Sequence, residues 1–217
     1  AEMLNAYRAL RLDRLQGVPK RQRTHFELLT TQLQQRLLSS VEAFARSLRV
    51  HRRTMEKIWN NEAKPAPEAR LAGFRAGPVD SEDDRATLGE EELDSLFDDE
   101  TEKATLASAT DAPPEAAERR LLEEMTSIAE RARLQPDAKI RYLTKWIREH
   151  LLDGSNWNGR RVIIFTEWDD TKRYIVQQLQ SALTGTDRAA ERIEVFHGPT
   201  PFQKKEELKR AFNLPPD

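Results

Sequence analysis

The sequence has no cysteine in 217 residues, which removes disulfide cross-links, thiolate nucleophiles and thiolate metal ligands together. It has only 8 glycines. Neither a Gly-x-x-x-x-Gly-Lys-Ser/Thr nor a Gly-x-Gly-x-x-Gly stretch occurs, so no glycine-rich phosphate cradle can be assembled. The four histidines, His25, His51, His150 and His197, stand in separate segments without metal-ligand spacing. No apolar run approaches the ~20 residues needed to span a bilayer, and the N-terminus lacks the apolar core of a signal peptide. No membrane partner is therefore expected, and a soluble cytoplasmic protein is the natural reading. An excess of charge of one sign is also missing: 35 basic residues face 37 acidic ones, a net charge of -2. With 33% charged and 38% hydrophobic residues, the chain is too polar to pack as one unit, and part of it should be extended helix or linker.

What is present is segregated along the chain into three stretches. Residues 1–63 read as a basic helical region. Leu4, Tyr7, Leu10 and Leu15 lead to a break at Gly17-Val18-Pro19, and Phe26, Leu29, Leu33, Leu37 and Leu38 then repeat at helical spacing. Ser39 or Ser40 can cap the next helix, which carries Val41, Phe44, Leu48, Met55, Ile58 and Trp59. Its other faces hold Arg46, Arg49, His51, Arg52, Arg53 and Lys57. Such a face is either solvated or turned to phosphate. Residues 64–114 are punctuated by Pro65, Pro67, Gly73, Gly77 and Pro78, and are acidic from Asp80 through Glu100. Low hydropathy with like charge predicts a flexible linker, with Leu93, Leu96 and Phe97 as a short helical turn or a partner-binding patch. A second possibility is that this acidic tract covers the basic face as an internal competitor.

Residues 115–217 read as an α/β region. Leu121, Leu122, Met125, Ile128 and Ala129 mark one helix face, and Ile140, Leu143, Ile147 and Leu151 another, with Asp137 as a cap. Arg161-Val162-Ile163-Ile164-Phe165-Thr166 is a β-branched apolar run of strand length, suited to burial on both faces. A helix with Tyr174, Ile175, Gln178, Leu179 and Leu183 on one side follows, and Gly185 is its stop. A second strand is expected over 192–196, and the polar loop His197-Gly198-Pro199-Thr200 leads into a last helix. Strand, helix, strand in this order predicts a right-handed parallel crossover.

In that arrangement Thr166 and the Gly198–Thr200 loop fall at one edge of the sheet, where helices begin and free N–H groups collect. With Lys204 they suit a phosphate chain held without reading its sequence. Glu167, Asp169 and Asp170 cluster at the same edge. Helix-capping carboxylates explain them better than a metal or acid/base pair does. No catalytic residue and no metal ligand set can be named.

Asp137-Ala138-Lys139-Ile140 with Leu143, then Arg161 to Glu167, then Phe196-His197-Gly198, resemble the start of the second RecA-like lobe of superfamily-two ATPases of the Swi/Snf type. Leu37-Leu38-Ser39-Ser40 and Ala43-Phe44-Ala45 resemble the helical insertion of a bacterial branch that includes helicase-related proteins of phage-defence systems such as DISARM and the RapA group. The resemblance implies a partial RecA-like parallel sheet of two or three strands, preceded by the helical insertion and the acidic linker. It further implies nucleic-acid backbone contacts, with double-stranded DNA as the partner, through Thr166, His197, Gly198, Thr200 and Lys204. The family's first lobe, with its phosphate loop, is missing from this sequence, and so are its motifs V and VI. ATP and Mg are thus expected for a larger parent protein and not for this stretch, which reads as a piece of a motor without catalytic activity of its own. The alternative is a stand-alone helical adaptor that binds a protein partner through its helices and acidic segment.

Overall fold

The computed structural model describes residues 1–68, 88–198 and 200–214. The acidic run at Asp80–Asp84 and the glycines at 73 and 77 lie outside the described residues. The chain divides into two compact units, whose described parts are residues 1–68 with 90–135, and residues 88–89 with 136–214. Among the described residues no helix is long and apolar enough to cross a membrane.

The first unit is built of five helices: α1 (Glu2–Arg14), α2 (Lys20–Ser39), α3 (Val41–Trp59), α4 (Glu90–Ser108) and α5 (Ala116–Ala132). Pro19, with its fixed φ, starts α2 after the Gly17 break. Ser40 ends α2 and caps α3 at once. Its backbone is extended, and its hydroxyl accepts from the Ala43 N–H at 3.1 Å, which satisfies one donor that the helix leaves unpaired. The periodic apolar positions meet in one core containing Leu4, Tyr7, Phe26, Leu29, Leu33, Leu48, Met55, Leu122 and Met125. Leu38 departs from the pattern and is exposed. Polar residues share this core because they satisfy themselves. Thr30, Thr54, Thr101, Thr105 and Thr126 each return the hydroxyl to the carbonyl one turn earlier, at 2.7–3.0 Å.

Where composition predicts a flexible linker, residues 90–108 form α4. It buries Leu93, Phe97, Ala104 and Ala107 and packs against α2 and α3.

The second unit contains α6 (Ala138–Leu151), the strands β1 (Leu152–Asp153) and β2 (Asn156–Trp157), α7 (Asp169–Ala182), a 3-10 turn (Ala189–Glu191) and α8 (Phe202–Asn213). Asp137 caps α6 by accepting from the Ile140 N–H at 2.9 Å, and its own N–H donates to the Tyr174 hydroxyl at 2.9 Å. Ile147, Leu151, Leu152, Leu179 and Leu183 form the core, with Trp146, Trp157 and Ile193 against it.

The expected α/β architecture with a partial RecA-like parallel sheet is not what the structure shows. Among the described residues the fold is mainly helical, and its only sheet is the antiparallel pair β1–β2, in register Leu152↔Trp157 and Asp153↔Asn156. Gly154 takes φ +70 in the two-residue turn between them, a conformation that suits a tight hairpin and that glycine adopts at no steric cost. Residues 161–166 and 193–196 carry no strand assignment. Their β-branched composition favours extended backbone, but a strand is completed by a ladder partner and a covered face. Val162, Ile163, Ile164 and Phe165 are all exposed, Phe165 at 89%. Burial on both faces, the basis for expecting a central parallel strand, is therefore absent.

Candidate nucleic-acid interface

Two basic surfaces were legible in the sequence, and most cations of the first are engaged by acids of neighbouring helices. On α3, Arg46 grips Asp98 through two nitrogens at 3.1 and 3.2 Å and also pairs with Asp94. Lys57 lies 3.8 Å from Glu102, all three carboxylates being on α4. From α5, Glu130 takes Arg49 at 2.6 Å, and Arg52 pairs with Glu56 on its own helix at 2.7 Å. Burial pushes the Glu130 carboxyl up, but hydrogen bonds and charge from Arg49 and Arg133 outweigh it and hold the group below its ordinary range. Four of the six basic residues of this face are thus engaged within the unit, His51 is buried, and Arg53 is exposed. Helix α4 is not a removable cover, because it also buries Leu93, Phe97 and Ala104. Pulling it away would expose a substantial part of the core, at about 25 cal/mol for each Å2 of apolar surface.

The second surface is the loop before α8. His197 and Thr200 close a turn by two hydrogen bonds, each 3.1 Å: the Thr200 N–H donates to the His197 carbonyl, and the His197 N–H donates to the Thr200 hydroxyl. Thr200 is buried, and its side chain shapes the turn. Gly198 is exposed, and its carbonyl accepts from Lys205 at 2.9 Å. The Lys205 ammonium also stands 5.7 Å from the centre of the Phe196 ring, a cation–π contact. Lys204 pairs with Glu194 at 3.1 Å. From α7, Lys172 approaches the His197 Nδ1 to 3.5 Å and pairs with Asp169. Asp170 pairs with Arg173 at 2.6 Å, so both carboxylates serve ion pairs inside the first turn of α7. Arg161 ties the extended segment to the end of α8, donating to the carbonyls of Phe212 and Leu214 at 2.8 and 2.6 Å.

Of the five residues expected to touch a phosphate chain, His197, Gly198 and Thr200 form one turn, and Lys204 stands in the first turn of α8. Thr166 is exposed in the extended segment before α7, and among the described residues no hydrogen bond joins it to that turn. Lys172 is the residue that sequence reading missed. It lies 25 positions before His197, and only the start of α7 brings the two together. No family model, no curated protein and no solved structure matches the chain.

Proposed function

We propose that this chain is a nucleic-acid-binding part of an ATP-dependent translocase or helicase-like protein of the cytoplasm, and that it grips the phosphate backbone without reading sequence. The observation that carries the reading is that Lys172 and Lys205 meet the His197–Thr200 turn, with Lys204 beside them in the first turn of α8, where it pairs with Glu194. Cations on short helix starts beside an exposed glycine backbone are what a phosphate oxygen needs. Such contacts orient a strand and carry no base information. The sequence resemblance around Asp137 and His197 points the same way, while the strand it implies at Phe165 is not formed. No residue set in the sequence fits a nucleotide, because the glycine-rich loop is missing, so no hydrolytic step is assigned to this chain. The test is titration of a labelled duplex with the parent and with Lys204→Gln/Lys205→Gln over a range of salt. Each phosphate contact removed should lower the slope of log affinity on log salt by about 1. Equal affinity at low salt would sink the proposal.

A second reading, a helical adaptor for a protein partner, has one observation in its favour. The exposed run Val162–Phe165 offers apolar side chains and backbone outside any ladder to an added strand. Binding of that kind would persist at salt concentrations that abolish phosphate contacts.

A further inference from the structure

Between α6 and α7 lies an open groove of about 600 Å3. Arg141, Lys145 and Arg148 line it from α6, together with Thr144, while Gln178 and Ser181 line it from α7. The three cations sit at i, i+4 and i+7 of one helix, so they share a face and follow one another at spacings of about 6 and about 4.5 Å along the axis. Both arginines are aimed by backbone carbonyls. Arg141 donates to the Pro136 carbonyl at 2.7 Å, and Arg148 donates to the Ala182 carbonyl at the end of α7. One of five guanidinium donors is used in each case, and the fork is held in place for a second acceptor. Glu149 is the single carboxylate in the lining. Its 3.7 Å pair with Lys145 is exposed on both sides and worth little.

We infer that the α6–α7 groove holds the phosphate backbone of a nucleic-acid strand, as a second grip in addition to the turn before α8. The inference rests on the nucleic-acid reading above. A row of cations over two helical turns matches a ligand whose charge repeats along a chain, whereas a lone anion would call for convergent donors in a closed pocket. Hydroxyl and amide groups from Thr144, Ser181 and Gln178 supply neutral donors to the same oxygens. No aromatic ring lines the groove, so bases do not stack there and the grip is indifferent to sequence.

The experiment is fluorescence anisotropy of a labelled duplex of mixed sequence against the full chain, titrated across salt. The variants are Lys145→Gln, Glu149→Gln and Lys204→Gln/Lys205→Gln, each shown by thermal melting to unfold as the parent does. Lys145 and Glu149 are chosen because their exposed pair leaves the fold indifferent to either change, whereas Arg148 anchors a helix end. Lys145→Gln should weaken binding on every sequence and lower the salt slope by about 1, and Glu149→Gln should tighten binding. If the lysine pair at the turn matters while both groove variants bind like the parent, the groove inference is overturned and the proposed function stands. If the groove variants shift and the turn variant does not, the groove is upheld and the turn loses its role. If the parent fails to bind at low salt, both fall.

Discussion

The buried line Tyr7–His51–Thr105 fixes where its protons sit. Thr105 spends its hydroxyl proton on the Thr101 carbonyl at 2.7 Å, so toward His51 it can only accept. The Nδ1 of His51, 2.9 Å away, therefore carries the hydrogen. Its Nε2 is left to accept from the Tyr7 hydroxyl at 2.8 Å. Burial, aided by the charge of Arg11, lowers the His51 pKa to about 3, and burial pushes the Tyr7 hydroxyl up. In the unfolded chain the same histidine titrates near 6.5. Between those two values the unfolded state binds more protons, so stability rises with pH through the window and is lost as pH falls through it. Urea unfolding at pH 5 should show about 2 kcal/mol less stability from this group than at pH 7. A His51→Gln variant should lack that part of the pH dependence, and an unaltered pH dependence in the variant would refute the account.

At the scale of elements, α1 and α5 are joined by a buried ion pair. Arg11 donates to Glu118 at 2.9 Å, and the two side chains are 2% and 0% exposed. Arg11 also reaches the Ser108 carbonyl at 3.1 Å, where α4 ends, and Arg14 completes the pairing of Glu118. Glu118→Leu leaves Arg11 charged and buried, and is expected to cost about 3–5 kcal/mol of stability. Arg11→Met together with Glu118→Leu should recover most of it, because well-packed apolar side chains replace a buried pair at little net loss. A double variant as unstable as the single one would show that the pair contributes more than mutual neutralisation. The helices of this unit were legible in the spacing of Phe26, Leu29 and Leu33, or of Leu48, Met55 and Ile58. Helix α4 was not, and the reason is the composition of its inner face. Beyond Leu93 and Phe97 that face is Thr101, Ala104, Thr105, Ala107 and Ser108. Small residues and self-bonded threonines fill close helix contacts, yet they raise hydropathy very little.

For the whole molecule the consequence of the exposed apolar run is colloidal. Ile163 and Phe165 expose 57% and 89% of their surface beside backbone that makes no ladder, an arrangement that templates association. Ile163→Thr/Phe165→Ser should reduce concentration-dependent light scattering while leaving helix content intact, and equal scattering from both proteins would mean the run is not the contact. The same segment shows where sequence reading ended. Its composition suggested a buried strand, and the structure forms none there, because a sheet is a property of pairs of segments. Nothing in Arg161–Thr166 alone states which neighbour it has. The site divided in the same way: His197, Gly198 and Thr200 adjoin in sequence and were found as a loop, whereas Lys172 and the α6–α7 groove depend on tertiary placement.

The charge matching on α3 has a further consequence, for the history of this chain. Arg46 answers both Asp94 and Asp98 on α4, so losing it leaves two acids of that helix unanswered. Divergent descendants of this sequence should change these positions together, a lost Arg46 accompanied by a lost acid on α4. Sites of Asp98 and Arg46 would then drift together, at a rate set by the rarer of the two paired substitutions.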